Sequence, residues 1–452
     1  MSELGFVETF AADVRVVARG AMPNGTWVKA SVDGEEALSA LLRECATKGI
    51  KVFVAQERQD LASQLSQSNP LPTNVLSALR HLNAACEARG DDAFKVCDAG
   101  DVLCLDLSSL NRVIEYNRLD QVISVETGLT LGKLQDLLEE NGQWFPVHGS
   151  ADSTIHDIIA SGDGGALEHA FNGPRSLVLG LQVSLTKGTS IKSGGKVVKN
   201  VTGYDMTKLI VGSKATLGIA TRAHLRLFAK PRSSVSLLVS SNNPVELIEQ
   251  SNRWMSSGLP ICVLELIPTA RIAHVLGASG EQGERTLANK WVLLCQIFEY
   301  ENVISEVLPL LRNMLPATAV SEIFAHDFTS ILLEPLVLVS TKFVELNGSP
   351  STFIALLKSI AELAESDLQL RPGAGRLRFG YTSTTDLGAL FEKLKAWCIR
   401  TDTVLYGALK YESYNFSFSL PEPQDASLKI AKSIKDKFDP EGVLNPSCQS
   451  MG

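Results

Sequence analysis

The chain has 452 residues, 45% hydrophobic and 20% charged, with a formal net charge of −8. That length suits two domains, each burying its own core, and the composition is that of a soluble globular protein. The acidic balance excludes nucleic acid as a partner, because phosphate binding needs a basic surface, and no run reaches the ~18 apolar residues of a membrane-spanning helix.

Residues 1–25 read as irregular, with acids and no apolar core, so a secretory signal is not expected and cytoplasmic residence is the default. Thr26 to Val32 reads as a strand. Glu35 to Lys48 carries Ala37, Leu38, Leu41, Leu42 and Cys45 at helical spacing, Gly49 stops it, and Ile50 to Val54 is a second strand. Ala55 to Asp60 (AQERQD) holds no glycine. Residues 61–98 are loop-like, then amphipathic helical, with Val75, Leu76, Leu79, Leu82 and Ala85 on one face. Val102 to Leu107 and Val122 to Glu126 are strands. Gly128 is a turn, Thr130 an N-cap, and Leu131 to Glu139 a helix.

Thr154-Ile155-His156-Asp157 and the run Gly162-Asp163-Gly164-Gly165 follow, then Gly173-Pro174-Arg175. Leu177 to Leu185 and Ser190 to Ser193 form a hairpin around Lys187-Gly188. In GGKVVKNVTGYDMTKLIVGSKATLGIATRAHLRL (194–227), Val197 to Val201 is an extended run. Asp205 is placed to cap a short helix over Met206 to Val211, and Gly212 suits a left-handed stop. From Ile219 the period changes to two, so Ile219, Thr221, Ala223, Leu225 and Leu227 share one buried strand face.

That last stretch resembles the hallmark segment of the flavin-binding domain of the vanillyl-alcohol oxidase superfamily. Within it, the chain is similar to the subunits of bacterial glycolate oxidase, the FAD-binding E subunit in particular. The resemblance implies an α+β fold: a two-lobed FAD-binding PCMH-type domain over 1–231, carrying the 61–98 insertion, followed by an α+β cap domain over 232–452. It places the cofactor against Gly128, Thr154, Ile155, Gly203 and Asp205, and against Gly212, Ser213, Leu217, Gly218 and Ile219. Two family features are altered. Relatives carry a glycine-rich pyrophosphate loop where this chain has Ala55 to Asp60, whose side chains block close backbone approach. Relatives also carry Thr-Ile-Gly-Gly where this chain has Thr154-Ile155-His156-Asp157. His156 is either a polar contact or attachment point near the cofactor, or a substitution at a position under relaxed demand.

Beyond Pro231 the pattern resets. Strands are expected at Val235 to Val239, Ile261 to Ile267, Trp291 to Phe298, Arg376 to Tyr381 and Val404 to Leu409. Helices are expected at Pro244 to Met255, Ile304 to Met314, Phe353 to Leu363, Leu387 to Cys398 and Leu428 to Phe438. The ending FDPEGVLNPS (438–447) is similar to the C-terminal segment of these flavoproteins, with Ser447 in place of a glycine.

The implied chemistry is oxidation of a 2-hydroxy acid by flavin. Catalytic relatives hold a substrate-binding metal with a His-rich cap segment. Here the seven histidines end at His326, so no metal site is expected. Arg376 and Arg378 alternate on one strand and suit either a carboxylate or, more commonly, a solvated face. The eight cysteines form no C-x-x-C pair, which excludes an iron–sulfur cluster in this chain.

Three readings remain open. One is an FAD-binding subunit without the metal site, partnered by a metal-site catalytic flavoprotein and an iron–sulfur subunit, with any membrane association peripheral and through those partners. The others are a flavin-free structural or regulatory subunit, and a stand-alone FAD oxidoreductase with another substrate.

Overall fold

The strand–helix–strand opening forms as its periodicity dictates. In the computed structural model, which describes residues 14–22, 25–54, 102–196, 205–273, 288–316, 320–324, 342–360, 367–381, 384–411, 414–420 and 425–445 with a few isolated positions, β2 (Gly25–Val32), α1 (Glu35–Lys48) and β3 (Lys51–Val54) follow in order. β4 (Val102–Asp106) pairs in parallel with both strands. α1 buries the set read from the sequence, Ala37, Leu38, Leu41, Leu42 and Cys45, on this sheet, and Gly49 ends it at φ 68°. Residues 14–22, expected to be irregular, instead form β1, antiparallel to β2. Ladder hydrogen bonding, which leaves no apolar periodicity, makes that strand.

A second, five-stranded antiparallel sheet has the order β5-β6-β10-β8-β9, from β5 (Val113–Asn117), β6 (Val122–Glu126), β8 (Val178–Ser184), β9 (Ser190–Gly194) and β10 (Ile219–Arg226). α2 (Leu131–Glu139) and α3 (Ile155–Ser161) cover it, and Leu134, Leu138, Ile155 and Ile159 pack against Ile123, Leu181 and Ala223. A short pair, β7 (Gln143–Trp144) and β11 (Phe228–Ala229), closes this unit.

The second unit is a nine-stranded antiparallel sheet, the α+β cap that was expected. Its order is β15-β12-β14-β13-β17-β18-β16-β19-β20. The strands are β12 (Ser233–Ser241), β13 (Val263–Pro268), β14 (Trp291–Glu299), β15 (Val320–Phe324), β16 (Lys342–Asn347), β17 (Leu368–Arg371), β18 (Arg376–Gly380), β19 (Leu405–Tyr411) and β20 (Tyr414–Leu420). Helices Pro244–Met255, Pro350–Ser359 and Leu387–Thr401 cover one face through Trp254, Phe353, Leu356, Phe391 and Trp397. The opposite face meets the first unit. At β12–β14 that meeting is apolar: Val263, Ile267 and Leu294 pack against Ala166 and Leu167, with Trp144 and Phe171 alongside.

The final helix, Asp425–Phe438, returns to the first unit. Val52 N–H donates to Val443 O at 2.8 Å, Asn445 N–H donates to Val52 O at 2.8 Å, and Val443 and Leu444 enter the core under β3. Asp439, 1% exposed, secures this return. It accepts from Val443 and Leu444 N–H at 3.0 Å each and from Lys435 Nζ at 2.6 Å. Among the described residues no helix is long and apolar enough to cross a membrane. The loop at Ala55 to Asp60, the 61–98 insertion, the run Val197 to Val201, and Gly203 lie outside the described residues.

Candidate functional site

Where β16, β18 and β19 extend past the apolar contact, the two units part around a cleft of about 510 Å³, a volume usual for a bound cofactor or substrate. The first unit supplies the two glycines that close its wall. Gly162 ends α3 at φ 66° and Gly212 follows the short helix Thr207–Ile210 at φ 85°. A Cβ on Gly162 would lie 2.9 Å from Gly212 Cα, so the two backbones touch because Gly162 lacks a side chain, while Gly212 is required by its positive φ. Gly212 N–H donates to Ile159 O, and Lys214 N–H donates to Ala160 O. From the second unit come Gly373, Arg376, Glu345, Asn347, Gly407 and Ala408.

The floor is charged. Asp163 Oδ1 accepts from Arg371 Nη1 at 2.6 Å and Oδ2 from Arg378 Nη2 at 2.6 Å, and Arg376 Nη1 lies 3.3 Å from Oδ1. Arg378 Nε also donates to Glu345 at 2.6 Å, Arg371 Nε donates to Glu265 at 3.1 Å, and Arg376 pairs with Glu168 at 3.4 Å. Burial alone would raise the Asp163 pKa, but the three guanidiniums outweigh it and hold the carboxyl well below its usual range. Glu168 goes the other way, raised first by burial and then by the Asp163 charge. Arg376 and Arg378 are therefore not the solvated face that alternation alone favours; they sit under the other unit and are paired there.

Of the residues expected to touch the cofactor, Gly212 lines the cleft, and Ser213 beside it carries a buried hydroxyl without a partner. Gly203 lies outside the described residues, and the rest make contacts within the protein. A Cβ on Gly128 would come within 1.9 Å of Leu107 O, so that glycine admits a crossing loop. Gly218 faces Val183 Cγ1, 2.6 Å from where a Cβ would stand, so its missing side chain makes room for β8. Ile155, Leu217 and Ile219 are core residues. Asp205 accepts from Thr207 N–H at 3.1 Å, while Met206 holds the cap position that Asp205 was expected to fill.

Thr154 caps α3 in a reciprocal box: its hydroxyl accepts from Asp157 N–H at 3.2 Å, and Asp157 Oδ2 accepts from Thr154 N–H at 2.8 Å. Ile155 and His156 N–H donate to Leu129 O and Thr127 O. The amides of this turn are thus committed within the protein and make no anion cradle. His156 Nδ1 lies 3.2 Å from Ala220 O; a carbonyl only accepts, so Nδ1 carries the proton and Nε2 is a bare, buried acceptor without a partner. Burial pushes its pKa down to about 4.

The cleft itself fits a flavin. Glycines and small residues (Gly162, Gly212, Gly373, Ala374, Gly407, Ala408) leave room for a flat ring, between the charged side chains of Glu168, Glu345 and Arg376. Arg175 and Lys214 offer positive charge. Asp163, Glu168, Asn172 and Arg371 were missed in the sequence as parts of this site.

Comparison with known proteins agrees. The family model described as an FAD binding domain matches residues 90–194. Glycolate oxidase subunit GlcD of Bacillus subtilis (strain 168) is 34% identical over 381 residues, covering 77% of this chain and 80% of that one. Glycolate oxidase subunit GlcE of Escherichia coli (strain K12) is 29% identical over 179 residues, 39% of this chain and 51% of the relative. A probable mitochondrial D-lactate dehydrogenase of Danio rerio is 32% identical over 173 residues, 38% of this chain, and the match spans only 35% of that relative. Among solved structures, p-cresol methylhydroxylase superposes with a TM-score of 0.65 at 14% identity, covering 99% of this chain and 96% of the other, and thereby shows the fold. This chain, carrying an FAD-binding domain of the PCMH type, belongs to the flavoprotein family that includes the glycolate oxidase subunits.

Proposed function

We propose that this chain is an FAD-binding subunit of a 2-hydroxy acid oxidoreductase complex of the glycolate oxidase kind, and that it does not itself bind the acid. The observation that carries this is the floor of the cleft, where Arg371, Arg376 and Arg378 are each already paired with a carboxylate of the chain. The absence of any histidine after His326 supports it too, since imidazole ligands for a substrate-binding metal are missing from that part of the sequence.

FAD, when bound, supplies the two-electron chemistry. The residues of this chain bind and orient it. Gly162 and Gly212 would leave room for the ring, and Arg175 and Lys214 would place positive charge beside it. A metal-site flavoprotein subunit would take the acid, and an iron–sulfur subunit would carry electrons onward, with the assembly cytoplasmic and peripheral to the membrane.

The test is purification of the full chain alone and from native extract. Released FAD on denaturation, with the two partner types co-purifying, is the expected outcome. A colourless chain that releases no flavin would leave a flavin-free subunit of the same fold. Turnover of 2-hydroxy acids by the isolated chain with a dye acceptor would overturn the subunit reading.

A further inference from the structure

The charged floor has a shape beyond its charge balance. Arg371 on β17 and Arg376 and Arg378 on β18 converge from one sheet face on a single carboxylate, and two of them reach it with 2.6 Å hydrogen bonds, one to each oxygen. Guanidinium groups meeting both oxygens of one carboxylate is how proteins bind small organic acids. Here the carboxylate is Asp163, which arrives from the other unit on the turn between Gly162 and Gly164. Three guanidiniums face four carboxylates (Asp163, Glu168, Glu265 and Glu345), so none of these three is left for a free anion.

We propose that the three arginines form a receptor for a small monocarboxylate whose resident ligand is the chain's own Asp163, so that the site is filled from within and closed to acid substrates. This deepens the reading of a subunit that leaves the acid to a partner, and it rests on that reading for its meaning. Removal of the Asp163 side chain deprives Arg371 Nη1 and Arg378 Nη2 of their partners while Glu265 and Glu345 still hold each guanidinium in place through its Nε. The vacancy has the size and charge of acetate or glycolate. It is reached from the cleft, since its neighbours Gly162, Glu168, Glu345 and Arg376 all line that opening.

The experiment compares the full-length wild type, Asp163→Gly and Asp163→Asn by thermal unfolding in acetate, glycolate or formate, against chloride and sulfate at matched ionic strength. Asp163→Gly should unfold several degrees below wild type and recover a few degrees in acetate or glycolate, rising with the logarithm of concentration as a bound ligand requires. Asp163→Asn, whose amide fills the space, should show the loss without the recovery, and wild type should not respond. A wild-type midpoint that rises with glycolate overturns the proposal, as does a folded Asp163→Gly protein indifferent to every carboxylate. Should Asp163→Gly be isolated unfolded, the refolding yield in acetate against chloride is read instead, and equal yields count against it. Flavin absorbance of the same samples is recorded separately: its absence would defeat the FAD-subunit reading and leave the carboxylate response as its own result.

Discussion

Two buried histidines give the fold a defined sensitivity to acid. His148 packs its Cβ against Gly165 and leaves both ring nitrogens without a partner, and burial, with a smaller contribution from Arg371, pushes its pKa down to about 3. His156 falls to about 4 for the same first reason, offset in part by the Ala220 carbonyl. Both stand near 6.5 in the unfolded chain. Between the folded and unfolded values the unfolded chain binds more protons, so stability falls as pH drops below 6.5 and keeps falling until the folded values are reached. Each histidine contributes a slope that approaches about 1.4 kcal/mol per pH unit below 6.5, so going from pH 6.5 to 5 costs about 1.5 kcal/mol each and about 3 kcal/mol for the pair. His169 and His224, also lowered by burial, add in the same direction, whereas the carboxylates held low, Asp163 and Glu345, act in a more acidic window. The assay is urea unfolding at pH 7, 6 and 5 for wild type and His156→Asn, whose amide keeps a donor for Ala220 O and does not titrate. The variant should lose roughly a third to a half of the slope. A wild-type stability that is flat from pH 7 to 5, or an unchanged slope in the variant, would refute the burial argument.

Three further changes should be read by the same unfolding assay. Asp439→Ala removes the carboxylate partner of Lys435, whose ammonium keeps the Thr216 and Leu444 carbonyls, and strands two buried amides where the C-terminal segment docks on β3; it should cost about 2–4 kcal/mol. Limited proteolysis should then release residues after Phe438, and a resistant C-terminus would contradict that docking. Gly218→Ala should cost about 1–3 kcal/mol by crowding Val183, with the flavin content of the folded fraction unchanged; flavin loss without destabilisation would return Gly218 to the cofactor wall. Thr154→Ala should remove about 1 kcal/mol by opening the capping box at α3, and a neutral result would show that the turn is held by Leu129 and Thr127 alone.

What the sequence made legible was local. The buried face of α1 and the N-cap Thr130 are where periodicity and capping chemistry put them. α3 is short and buried on most sides, so it shows no helical periodicity, yet the Thr-x-x-Asp of Thr154-Ile155-His156-Asp157 is itself a capping-box signature with the shorter acid. Gly218 and Gly128 announced close approach correctly but not what approaches: in both cases it is the protein's own chain. The pairing of Arg371 with Asp163 spans 208 residues, and no local pattern reports it. Alternation told only that Arg376 and Arg378 share a face of β18; which face is covered depends on the other unit.

The energetics of that covered face argue that Asp163 is there for charge and not for cohesion. The units already meet through an apolar contact in which Ala166 and Leu167 lie under Val263, Ile267 and Leu294, and apolar burial holds such an interface at about 25 cal/mol per Å² without demanding exact geometry. An ion cluster at the same interface must first repay the desolvation of every charge, and replacing one by apolar side chains is often neutral or stabilising. Cohesion alone would therefore favour extending the apolar contact across β18. The arginines remain instead, each with its carboxylates, beside a cleft that fits a flavin. Once they are present they must be neutralised, and a carboxylate delivered by the turn at Gly162 does this without admitting a free acid. Loss of Asp163 is accordingly expected both to open the cleft to a free acid and to destabilise the fold, because it leaves Arg371 Nη1 and Arg378 Nη2 without their carboxylate.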